Sequence, residues 1–239
     1  MKLITVLIIA VFISTASAAQ TKDKKHSQLL DVTGSLGSGL GSVSGSYIYN
    51  WHLGKKQKFS IGAGARFTSF FGSNQYYISA PAKITSGSTG PGVLFQENIT
   101  ANIDSLLVAS PSMNALNLSI NLGYQITPKI AAGFNIDAVG FSFGGEQTAK
   151  YVNGTTLTNT TAKPTGFNAL LISDNDLGTL NSEIFATYKF RKQWAVKLGY
   201  QFLFTEYTTA TNVQVLPEPN DRFRLKSGAL AIGIQYQFK

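Results

Sequence analysis

The chain has 239 residues, of which 44% are hydrophobic and only 13% charged, with a formal net charge of +8 and no cysteine. The missing cysteine excludes disulfides, thiolate metal sites and a cysteine-linked lipid anchor. The charge content is low for a water-exposed exported domain, where about 25% is usual.

Residues 1–19 read as a secretory signal peptide. Met1-Lys2 gives the positive end, Leu3 to Ile13 is an almost unbroken apolar run, and Ala16-Ser17-Ala18-Ala19 supplies small residues for cleavage. Losing Lys2 with this leader lowers the net charge by one, to +7. Residues 20–239 are then the mature domain. No later apolar run is long enough for a membrane helix.

The mature chain reads as strands that alternate apolar and polar residues. The first covers 28–37, the second 43–53 and the third 58–71, with a turn at Gly54-Lys55-Lys56. A long loop leads to the fourth, 115–126. There Leu116, Leu118, Ile120, Leu122, Tyr124 and Ile126 take one face, and Asn117, Ser119, Asn121, Gly123 and Gln125 the other. A turn at Thr127-Pro128-Lys129 opens the fifth, 130–143. After a second long loop come the sixth, 180–190, a turn at Arg191-Lys192-Gln193 and the seventh, 194–207. A third loop leads to the eighth, 223–238. Residues 93–107 are ambiguous. They read as an extension of the hairpin between the third and fourth strands, or as a helix, since Phe95, Ile99, Ile103 and Leu107 recur every four residues. Ten strands stay open if the loops add spanning ones.

This pattern predicts an all-β, antiparallel, up-and-down transmembrane barrel of eight strands, with short turns at the periplasmic end and long loops outside. The expected lipid face runs from Val43, Tyr47 and Tyr49 to Leu230, Ile232 and Ile234, and carries no charge. Trp51, Phe59, Tyr124, Phe190, Trp194 and Phe238 form an expected aromatic girdle near the turns. Phe71, Phe141, Phe143, Phe204 and Tyr207 form a second near the loops. The expected lumen is polar, and includes Lys197 and Gln201. Arg66, Asp137 and Glu183 fall at similar depth, so that the arginine fork reaches both carboxylates. Two readings of this trio compete: a paired structural plug, or a switchable gate in a narrow channel.

The basic balance does not point to nucleic acid. Lys55, Lys56, Lys58, Lys129, Lys189, Arg191, Lys192 and Lys239 fall at the turns and the C-terminus, and most acids fall in the loops. One end is therefore expected to be basic, meeting phospholipid headgroups, and the other largely acidic. Catalysis finds little support. His26 is read in the N-terminal tail and His52 beside the first turn, far from the outer rim. Asp174-Asn175-Asp176 invites a calcium reading, but the spacing of a calcium loop is missing and an Asx-type turn fits. No cofactor is expected.

On these features, with the closing strand Ala229 to Phe238, the chain resembles small outer-membrane barrels of the OmpA/OmpX type. The resemblance brings no assigned activity. With no base placed at the outer rim, the chain is expected to be non-enzymatic, with a structural role or a surface-interaction role through its loops. Its expected partners are outer-membrane lipids and lipopolysaccharide, the barrel-assembly machinery and an external ligand of unreadable chemistry. Such barrels end on an aromatic residue read during assembly; here Phe238 is followed by Lys239. Rival readings are a narrow pore, a lipid-modifying enzyme and a soluble barrel with an apolar interior.

Overall fold

A computed structural model describes residues 25–171 and 173–238. The signal peptide and Lys239 lie outside them. Thirteen antiparallel strands make one sheet. They are β1 (His26–Gly37), β2 (Leu40–Leu53), β3 (Phe59–Gly72), β4 (Gln75–Ser79), β5 (Ser105–Val108), β6 (Ser112–Gln125) and β7 (Ile130–Phe143), followed by β8 (Gln147–Asn153), β9 (Thr156–Pro164), β10 (Phe167–Ala169), β11 (Leu180–Lys189), β12 (Trp194–Thr209) and β13 (Arg222–Gln237). A short helix, α1 (Ala82–Thr85), lies between β4 and β5.

The eight longest strands pair in the order β1-β2-β3-β6-β7-β11-β12-β13, and β13 returns to β1, so the wall closes. These are the eight strands read from alternation, within three residues at each end. The other five strands are built from the long loops, so the sheet is larger than the eight expected. His26 belongs to β1 and stacks on Tyr49, with ring centroids 5.6 Å apart, rather than lying in a tail.

Four of the five additional strands make a second closed ring. The upper ends of β12 and β13 pair with each other and continue through β9, β8, β5 and β4 back to β13. The wall therefore forks. One edge of β12 pairs with β11 below and with β9 above, from Tyr207 onward. One edge of β13 pairs with β1 below and with β4 above, at Phe223 and Arg224. That double duty explains why β12 and β13, at 16 residues each, are the longest strands. The interior of this dome is apolar. Tyr77, Leu106, Val108, Ala149, Tyr151, Ala162, Tyr207 and Phe223 pack there, continuous with Phe70, Met113 and Leu203 at the top of the main ring. Within residues 93–107 there are 3-10 turns at Pro91–Phe95 and Thr100–Asn102, and only the start of β5 is extended. No α-helix forms there, and the hairpin extension is borne out only at its end: Ser105–Leu107 pair with β4 in the same register that joins β3 to β6, while 93–104 stay outside it.

A bulge in β7 keeps both its ends in phase with the wall. Leu118 pairs with Val139 but Ser119 pairs with Asp137, leaving Ala138 unpaired in the register. Below it Asn135 and Asp137 point inward; above it Gly140 and Ser142 do. Phe134 and Phe141, of opposite parity, can therefore both face out. Gly140 meets the bulge's steric demand, since a Cβ there would stand 2.2 Å from both Asn117 Oδ1 and the Leu116 carbonyl oxygen.

The outer surface follows the alternation. Val43, Phe67, Leu116, Leu118, Ile184, Leu198, Leu230 and Ile232 are exposed apolar side chains. Their neighbours Ser42, Ser44, Arg66, Thr68, Asn117, Ser119, Glu183, Lys197 and Ala231 are buried. The interior holds the polar residues and the exterior the apolar ones.

Candidate functional site

Inward alternation places five charged side chains at one level of the main ring. Asp31 comes from β1, Arg66 from β3, Asp137 from β7, Glu183 from β11 and Lys197 from β12, each at most 3% exposed. Arg66 Nε lies 3.2 Å from Asp137 Oδ1, and its Nη1 lies 3.8 Å from Glu183 Oε1. Its aligned hydrogen bond goes from Nη2 to Asn135 Oδ1, at 2.7 Å. Lys197 Nζ donates to Glu183 Oε2 at 2.8 Å and to Asp31 Oδ1 at 2.7 Å. The charges thus alternate in sign along a chain: Asp137, Arg66, Glu183, Lys197, Asp31.

Neutral donors complete the layer. Asn117 Nδ2 and the Asn181 amide donate to Asp137 Oδ2 at 2.7 and 3.0 Å. Gln235 Nε2 and Thr33 Oγ1 donate to Asp31 at 2.9 and 2.7 Å. Such pairing lowers the cost of charged groups in a closed lumen, where an unpaired charge is expensive; Arg66 Nε and Nη1, Asp137 Oδ1 and Glu183 Oε1 meet only as ion pairs, without an aligned hydrogen bond. Gln201 lies outside this chain and accepts from Ser42 Oγ at 3.0 Å. Asp31 is absent from the sequence-based lumen residues. Its place between Leu30 and Val32 on an alternating strand was the available signal.

The expected turn-end girdle residues Trp51, Phe59, Tyr124, Phe190 and Trp194 are exposed, and Phe238 is half-buried against Tyr236 and Tyr47. At the loop end Phe71, Phe141 and Phe143 are exposed. Tyr207 is not part of that girdle: it is fully buried inside the dome and edge-on to Tyr77. Its odd number puts it on the same face of β12 as Lys197 and Gln201.

The loop end is not simply acidic. Glu206 has the parity of the outward face of β12, yet it is fully buried because residues 173–178 strap over it. Arg222 holds both its carboxylate oxygens, at 2.8 and 3.0 Å, and Arg224 Nη2 reaches Oε2 at 2.7 Å. Both arginines also donate to the Asp176 carbonyl, and Lys226 pairs with Asp174. Asp174-Asn175-Asp176 lies in a tight turn whose carboxylates are engaged by Lys226, Thr85 and the Leu171 amide.

Below the charged layer the lumen opens toward the turns as a chamber of about 180 Å³, lined by residues such as Ile48, Asn50, Gly133, Phe185 and Gln235. Above it, inward side chains including Thr68, Asn181, Leu203 and Thr205 are buried, and the apolar dome follows.

No protein-family profile matches the chain. No curated protein sequence matches it. Among solved structures it is similar to Neisserial surface protein A, at 9% identity and a TM-score of 0.38, over 89% of this chain and 97% of that one. It is similar to the N-terminal β-barrel domain of Pseudomonas aeruginosa OprF, at 8% identity and 0.37, over 89% and 97%. It is also similar to the attachment invasion locus protein Ail of Yersinia pestis, at 7% identity and 0.36, over 90% and 100%. Likeness at this level assigns no activity to the chain.

Proposed function

We propose that the chain is an integral outer-membrane β-barrel that spans the membrane with its eight-stranded ring and acts, without catalysis, through the folded loop end. The single observation that carries this reading is the inversion of the wall. Large apolar side chains from all eight strands stand exposed around the ring while charged and amide side chains fill it. A water-soluble barrel would gain nothing from that arrangement, since exposed apolar area is unfavourable by roughly 25 cal/mol per Å². A hydrocarbon surround makes it favourable, and no ionised side chain interrupts the expected lipid face.

The plug reading of the lumen is favoured over the gate. The alternating charges are paired, and the dome's apolar interior lies above them. An eight-stranded ring is only wide enough for side chains to fill. The loop end supplies the contact surface. It is a braced dome rather than free loops; Phe95, Val215 and Leu216 stand exposed on its connecting segments and Leu157 at the start of β9. Its partners would be lipopolysaccharide at the rim or an external ligand, and the turn lysines would meet inner-leaflet headgroups.

Three measurements test this. The mature chain should require detergent for extraction and should give no single-channel conductance in a planar bilayer. Discrete conductance would favour the pore reading. Altered lipid A masses on high expression would favour the enzyme reading.

A further inference from the structure

We infer that the turn-end chamber is a binding site for a small organic anion with an apolar body, entering from the turn side. The chamber of about 180 Å³ is a dead end, because the charged layer roofs it. Gln235 belongs to both: it lines the chamber and donates to Asp31.

Its lining changes character with depth. Lys58, Lys129 and Lys189, with His52, surround the mouth. Among the described residues, no carboxylate lines it. Lys189 Nζ is oriented by Gln237 Oε1 at 3.1 Å, and His52 Nε2 by Ser27 Oγ at 2.9 Å. Deeper in, Leu29, Ile48 and Phe185 form an apolar wall. Phe185 screens the buried charge above it, with its ring centroid 5.1 Å from Lys197 Nζ. Small residues leave the space: Ala131, Gly133 and Ala195 face it. A Cβ on Gly133 would stand 2.5 Å from the Phe185 ring.

A ligand that satisfies both zones carries its charge at the mouth and its apolar part against Phe185. The charged layer fits this orientation. Two cations face three carboxylates there, so both cations are already engaged and offer an anionic head no free partner inside. The size fits a single ring or a short chain, since a cavity of roughly 150 Å³ holds benzene. The chemistry is a carboxylate or phosphate on a compact apolar body. A free periplasmic acid and the end of an anionic lipid share it. The site requires only the closed ring, so its failure would leave the membrane reading intact.

The test uses the folded mature chain in zwitterionic detergent and 4-fluorobenzoate as probe, read by fluorine NMR. Saturable line broadening is expected. The combined K58E, K129E and K189E variant should weaken it about tenfold or more, and neutral 4-fluorobenzyl alcohol should bind correspondingly more weakly. Ala195→Trp should abolish binding by filling the apolar wall, with Ala131→Leu as the milder variant if tryptophan prevents folding; strand content by circular dichroism checks both. Reconstitution with and without phosphatidylglycerol separates the sources. Displacement of the probe by the anionic lipid assigns the site to a lipid, and its persistence to a free acid. No saturable binding, binding that survives both filling variants, or equal binding of the neutral analogue would overturn the inference.

Discussion

At the scale of single residues, Arg66 is the joint of the lumen. It is the cation shared by Asp137 and Glu183, and it is 1% exposed. Arg66→Ala leaves two buried carboxylates with one fewer partner, and losses of this kind cost about 3–5 kcal/mol. Arg66→Ala should therefore lower the urea midpoint of the barrel in lipid vesicles far more than Thr187→Ala near the turn end, and equal effects would contradict the pairing. Asp176 offers a pH test outside the main ring. Burial raises its carboxyl pKa above the ordinary carboxylate value, against the Leu171 amide and Arg224, which lower it. The folded strap thus favours the protonated acid. The stability this contributes is complete below the unfolded-state pKa of about 3.9 and is lost as pH rises through the raised value. Asp176→Asn should remove that loss, so its urea midpoint relative to wild type should climb across the same window. A pH-independent difference would contradict the sign.

At the scale of elements, strand alternation was legible and the dome was not. Period two over ten or more residues sets which face each side chain takes, because slipping by one residue would bury every apolar group on the strand. That is why β2, β6 and β12 follow the sequence so closely. The dome strands are short: β5 has four residues and β10 three. Few residues carry too little alternation to separate strand from loop. Their pairings are also long-range, as with β5 against β8, and depend on β12 and β13 reaching past the main ring. The charged layer was half legible. Parity placed Arg66, Asp137, Glu183 and Lys197 inside, but the link through Asp31 needs closure of β13 on β1, which no local pattern encodes. The fork gives an element-scale prediction. Replacing residues 147–164 with a short Gly-Ser linker removes β8 and β9 and opens the dome. Proteolysis near Leu106 should then rise sharply, while the main ring stays folded and electrically silent, because the charged layer is independent of the dome. Conductance in this variant would mean that the dome, not the ion pairs, is the seal.

At the scale of the whole molecule, three layers stack along one axis. A basic-mouthed chamber sits at the turn end, a paired layer of alternating charge lies above it, and an apolar dome closes the loop end. Around all three runs one sheet, whose outer face is apolar where the ring has eight strands. The native chain has no cysteine, so single cysteines carrying spin labels can report each wall position without background. The most direct measurement is the collision rate of labels at successive β12 and β13 positions in lipid vesicles, with oxygen as the lipid-phase probe and a nickel chelate as the aqueous one. Labels at Leu198, Tyr200, Leu230 and Ile232 should collide strongly with oxygen and weakly with nickel, while those at the intervening Gly199 and Ala231 should be shielded from oxygen. Nickel contact at the first set, or no alternation along the strands, would contradict the account.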